Sequence, residues 1–167
     1  PAPEELFVTN ISTDPPRPEA SPPTALVRCV PDGRVTSYFE WLGAGCLDVR
    51  QRAGAMHRVS AGEPLVGCVF FGFDLERLYV RVDMDRPAAD LLAEGYEVAL
   101  AFLAPPRVRL RVSAEAGVPV ATLWDQASDG RWEARAAGEA PQVAAERILE
   151  CGVPFGALGV SPGDRLA

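Results

Sequence analysis

Apolar and polar residues alternate most cleanly in LVGCVFFGFDLERLYVRVDMD, residues 65–85. Leu78, Val80, Val82 and Met84 fall on one side of an extended chain, with Tyr79, Arg81, Asp83 and Asp85 on the other. Strand side chains alternate faces, so one face is set for a core and the other for water or a ligand. A second apolar run precedes this one, and the two meet at Gly72, Phe73 and Asp74, which predicts a tight connection. The stretch reads as the central hairpin of an antiparallel sheet.

The same pattern recurs more weakly on both sides. Residues 1–31 are punctuated by proline, as in TDPPRPEASPP, and read as a stiff interdomain linker. Leu6, Phe7, Val8 and Ile11 could still dock as a short strand. Asp32-Gly33 signals a turn ahead of VTSYFEWL (35–42), expected as a first core strand, although its alternation leaves the buried face undecided. Residues 47–57 look like an irregular loop or edge. Beyond the hairpin, residues 88–93 predict one helical turn, and YEVALAFL (96–103) predicts a buried strand. Val108, Leu110 and Val112 alternate with Arg107, Arg109 and Arg111, a row that reads as a solvated face or protected edge, or as a binding site. Short strands follow at 118–124 and 132–136 around a Ser128-Asp129-Gly130 turn, then a strand within 143–151 and a short turn or helical piece at 154–160. Roughly eight short strands with closely spaced turn signals describe a β-sandwich over residues 32–167.

Composition works mainly by exclusion. At 167 residues and 48% hydrophobic, the chain suits one domain burying roughly 70% of its unfolded surface, with no need of metal or disulfides. Sixteen Lys+Arg against 23 Asp+Glu give a net charge of −7, which argues against nucleic acid or an anionic membrane as partner. No apolar run approaches the ~20 residues of a membrane span, and no stretch of the sequence reads as a signal peptide. Cys29, Cys46, Cys68 and Cys151 are widely spaced without a metal-like grouping, so a reduced, cytoplasmic setting is expected, with a disulfide left open. The first residue is Pro rather than Met, and the chain is expected to be a piece of a longer polypeptide.

Catalytic signatures are missing: there is no GxSxG, HExxH, phosphate loop or dinucleotide fingerprint, and His57 is the single histidine. His57 reads as solvated. Asp83 and Asp85 read as a water-facing strand end, or as a carboxylate pair or calcium ligands. Asp74 reads as a turn-maker. Tyr38, Trp41, Trp124 and Trp132 are the candidate ligand platforms, since sugar rings stack on exposed phenol and indole faces. The competing reading makes Trp41 and Trp124 core residues and leaves Trp132 partly exposed.

Three stretches carry a resemblance. DGRVTSYFEWLGAG (32–45) and FFGFDLERLYVRVD (70–83) resemble the domain that follows the catalytic barrel in bacterial glycoside hydrolase family 57 proteins of the α-amylase/amylopullulanase-like kind, with Phe71 where that pattern has Tyr. ILECGVPFGALGVSPGDRLA (148–167) is similar to the closing section of DOMON-like sandwiches, such as the C-terminal module of glucodextranase and family-9 carbohydrate-binding modules. The resemblance implies a DOMON-like, jelly-roll or immunoglobulin-like sandwich, noncatalytic because the family's carboxylates belong to the barrel. It implies binding of α-glucan or a related oligosaccharide, or else a purely structural role packed against the barrel of the parent chain. An independent enzyme is a third reading, and it would need clustered carboxylates that the sequence does not signal. Related sandwiches continue past PGDRLA. The sheet edge left after Ala167 could therefore be covered by a loop, by the N-terminal segment or by a second copy in a dimer.

Overall fold

Strands β3 (Val66–Phe73) and β4 (Arg77–Met84) form the expected hairpin, with Val69 opposite Val82 and Phe71 opposite Val80. The computed structural model describes residues 20–49, 65–135, 138–161 and 163–166. The connection itself lies two residues later than the sequence indicates. β3 runs through Phe73, and residues 74–76 make the turn, held by Asp74 Oδ1 accepting from the backbone N–H groups of Glu76 and Arg77, both at 2.7 Å. Leu78, Val80, Val82 and Met84 are all buried, as their period requires.

Around this hairpin the described residues build two antiparallel sheets. The larger adds β1 (Ala20–Ser21), β2 (Gly45–Asp48), β9 (Gln142–Ala145) and β10 (Leu149–Pro154), in the order β1-β2-β3-β4-β10-β9. The smaller holds β5 (Val98–Phe102), β6 (Val108–Glu115), β7 (Val118–Gln126) and β8 (Trp132–Ala134) in chain order. The chain is thus an all-β antiparallel sandwich. Between the sheets, the β4 stripe meets Val108, Leu110 and Val112 of β6, Ala121 and Leu123 of β7, and Leu149, Cys151 and Val153 of β10. Leu110, Val112, Leu149 and Val153 are completely covered, and burying each such side chain stabilises by about 1.5–3 kcal/mol. Helix α1 (Ala88–Ala93), at the predicted place, caps one end with Ala88, Leu91 and Leu92. Helix α2 (Phe155–Leu158) follows β10 and buries Leu158.

Several local expectations change. VTSYFEWL is not a strand: Ser37 caps a 3₁₀ turn at Tyr38–Trp41, its Oγ accepting from the Phe39 N–H at 3.2 Å. Serine competes for nearby backbone donors and so starts turns. The 96–103 run is an edge strand rather than a buried one. Val98, Leu100 and Phe102 pack on the core, Ala99 and Ala101 are exposed, and Leu103 is 80% exposed. The single strand expected within 143–151 is two, since β9 folds back on β10 with Ala145 opposite Leu149. Residues 20–31, expected as the end of the linker, lie against the large sheet: β1 pairs with β2, and Val27 and Cys29 are buried. His57 and residues 1–19 fall outside the described residues.

Candidate functional site

The two outer faces of the sandwich divide the candidate residues between them. On the large sheet, the strand alternation that sends the β4 stripe inward sends Phe70, Tyr79, Arg81, Asp83 and Glu150 outward, with Phe70 and Glu150 on opposite sides of Arg81. Residues 22–44 cross this face as a strap. Val27 seats directly over Gly72, where a Cβ would meet Val27 Cγ2 at 2.3 Å, so the strap can lie flat only over glycine. The Val27 N–H donates to the Phe73 carbonyl at 2.9 Å.

Glu150 holds the strap. Its side chain is 1% exposed and accepts from four donors: Trp41 Nε1 at 3.0 Å, the backbone N–H groups of Asp32 and Gly33 at 3.1 and 3.0 Å, and Cys29 Sγ at 3.7 Å. A buried carboxylate is tolerated only when its oxygens are satisfied in this way. Gly33 adopts a left-handed φ of 77°, and a Cβ there would strike the Glu146 backbone nitrogen at 2.6 Å. Burial, followed by the Glu150 charge, pushes the Cys29 thiol far above its usual range. Tyr79 donates its hydroxyl to Asp74 Oδ2 at 2.9 Å; burial first, then that bond, pushes its pKa up to about 12. Glu150 is hard to single out from the sequence: a lone carboxylate in an apolar strand is its only signal.

The motif residues are therefore structural partners of one another. Asp32, Gly33 and Trp41 from the first motif, and Gly72, Asp74 and Tyr79 from the second, fasten the strap and its supporting hairpin. Trp41 is 8% exposed and offers no ring face for a ligand, in keeping with the core reading of this residue. Tyr38, three residues earlier, is 78% exposed and meets Phe39 edge to face at 5.9 Å.

The outer face of the small sheet brings Trp124 and Trp132 together. Arg109 on β6 lies opposite Trp124 on β7, while Trp132 on β8 lies opposite Gln126. The Arg109 guanidinium stacks 4.3 Å from the Trp132 ring and 5.4 Å from Trp124, whose ring also has Arg111 at 5.2 Å. The result is a ladder of indoles and guanidinium groups, a geometry set by cation–π attraction. Glu97 takes Arg111 in a two-pronged ion pair, and the Arg111 hydrogen bond holds its carboxyl below the usual range. Both indoles remain partly accessible. Trp124 Nε1 and Arg109 Nε have no hydrogen-bond partner. Arg109 and Arg111 of the arginine row thus cover aromatic surface instead of facing water alone. Of the four candidate platforms, only these two converge; Trp41 and Tyr38 belong to the strap on the opposite sheet.

The carboxylates are used locally. Asp83 receives Arg81 Nε and Nη2 at 2.6 and 2.9 Å. Among the described residues, no group of three or more His, Cys, Asp or Glu side chains is placed to hold a metal ion. A groove of about 1220 Å³ opens at one end of the sandwich between the β3–β4 turn and the C-terminal segment. Phe71, Phe73, Leu78 and Phe155 supply apolar walls, and Asp74, Arg135 and Glu139 polar ones, but none of the predicted aromatics reaches it. No described helix is long and apolar enough to cross a membrane.

Fold and faces together define an all-β sandwich with a strapped sheet and an aromatic–arginine sheet. Compared with protein-family models, with curated proteins and with solved structures, the chain matches none.

Proposed function

We propose that this sandwich is a noncatalytic carbohydrate-binding accessory domain, and that its ligand lies across Trp124, Arg109 and Trp132. The observation that carries the reading is the stacking of Arg109 between two partly accessible indoles on one sheet face. A sugar presents C–H groups on its ring faces and hydroxyl oxygens around its rim. Indole surface suits the first and guanidinium N–H groups the second. The choice of α-glucan as ligand comes from the resemblance of residues 32–45 and 70–83 to domains of family-57 glycosidases. The rows of small residues beside the ladder, Ala99, Ala101 and Ala134, leave an extended chain room to lie along it. Isothermal titration with maltoheptaose and with soluble starch tests this. Saturable heat is expected from the native protein, with loss of more than tenfold in affinity in Trp132→Ala.

A second reading has its own observation. Tyr38, Phe39 and Leu42 of the strap are 78%, 77% and 52% exposed, an apolar patch on the face opposite the ladder. Such a patch suits docking to another domain, in which case the sandwich is a support that touches no sugar. Silence of the folded protein toward every glucan would favour this reading.

A further inference from the structure

We propose that Cys46 and Cys68 form a redox-active dithiol that closes to an intramolecular disulfide by exchange with a low-molecular-weight disulfide. The two residues sit on adjacent antiparallel strands, where Cys46 of β2 faces Phe70 and Cys68 of β3 faces Asp48. They are therefore diagonal neighbours on one face of the sheet, within mutual reach. Their sulfurs stand 2.6 Å apart, inside ordinary non-bonded contact and close to the roughly 2.05 Å of a disulfide bond. The pairing of β3 with β4 shifts register between Val66 and Cys68, beside the diagonal.

The other two thiols provide the contrast. Cys151 is buried between the sheets, whereas Cys29 belongs to the strap on the outer face of the large sheet, bonded to Glu150. They cannot meet each other. Cys46 and Cys68 are only half-buried, so a small disulfide can approach them.

The exchange balances in two steps. The Cys46 thiolate attacks one sulfur of the small disulfide, forms a mixed disulfide and expels one small thiol. The Cys68 thiolate then attacks the Cys46 sulfur and expels the second. The protein loses two protons and two electrons, and the small disulfide is reduced to two thiols. Burial, then the hydrogen bond and charge of Cys46, push the Cys68 thiol up to about 12. That restraint eases once Cys46 is capped, which leaves Cys68 free to act as the resolving thiol.

The test is to treat the folded chain with oxidised glutathione, trap remaining thiols by alkylation after denaturation, and map peptides by mass spectrometry. Two of the four cysteines should become protected, joined as Cys46–Cys68, with no retained glutathione. The oxidised form should melt roughly 5–10 °C higher, because the bond closes a loop in the unfolded chain. In Cys68→Ser, glutathione should remain on Cys46. Four alkylatable thiols after treatment, a persistent glutathione adduct on the native protein, or a bond to Cys29 or Cys151 would each overturn the proposal. Near-ultraviolet circular dichroism of Cys68→Ser identifies a variant that has lost its fold; Cys68→Ala then replaces it.

Discussion

The indole nitrogen of Trp41 donates to Glu150 at 3.0 Å across 109 positions of sequence, and this bond fastens the strap to the large sheet. The most aromatic motif in the chain, YFEW, places its tryptophan inside, while Trp124 and Trp132 stand on the opposite sheet.

Glu150→Gln keeps the side-chain volume but turns an amide NH₂ toward donors. Trp41 Nε1 and the N–H groups of Asp32 and Gly33 then compete for a single oxygen. A buried donor left unsatisfied costs about 1–3 kcal/mol. The variant should unfold at lower urea, by about 2–4 kcal/mol in all. Its Gly33 amide should also exchange with solvent much faster than in the native protein. An unchanged exchange rate would mean that the carboxylate does not anchor the strap.

Gly72→Ala should be destabilised by about 1–3 kcal/mol, since the new methyl carbon meets Val27 Cγ2 at 2.3 Å. Val27→Ala removes that obstruction while losing its own packing. In a double-mutant cycle the two changes should therefore be less costly together than their sum. Additive costs would place the strap elsewhere.

Asp74 supplies a pH dependence with a definite sign. Burial alone would raise its pKa, but the N–H groups of Glu76 and Arg77 and the Tyr79 hydroxyl outweigh burial, and the net shift is downward from 3.8. A depressed carboxyl contributes stability that is fully present above its unfolded pKa and is lost as pH falls through the folded value. Urea midpoints should therefore decline on acidification through and below about pH 4. That decline should be shallower in Asp74→Asn, which cannot titrate. Equal slopes in the two proteins would mean that Asp74 does not carry this pH dependence.

The sequence made the β4 stripe readable because one face of that strand is buried along its whole length. It made α1 readable through Pro87 before and Gly95 after six residues with an apolar side. Alternation failed at VTSYFEWL because a strand needs neighbours as well as a pattern, and here the local capping by Ser37 won. It failed again at 143–151, where the turn between β9 and β10 carries Glu146 and Arg147 without a glycine or proline to mark it. Glu150 was not legible as an anchor, since its donors arrive from positions 109–121 residues away and two are backbone groups. The pairing of Trp124 with Trp132 depends on the β7–β8 register and on Arg109 from a third strand. A list of aromatic residues contains neither relation.

Trp41 is bonded inside the strap and Trp132 stands on the proposed ligand face, and one experiment separates the two roles most directly. Intrinsic fluorescence is titrated with maltooligosaccharides in the native protein, in Trp41→Phe and in Trp132→Ala, each first shown to be folded. The expected result is a saturable change in the native protein that survives in Trp41→Phe and disappears in Trp132→Ala. Loss in Trp41→Phe with retention in Trp132→Ala would contradict the assignment of faces. A flat response in all three would contradict sugar binding itself.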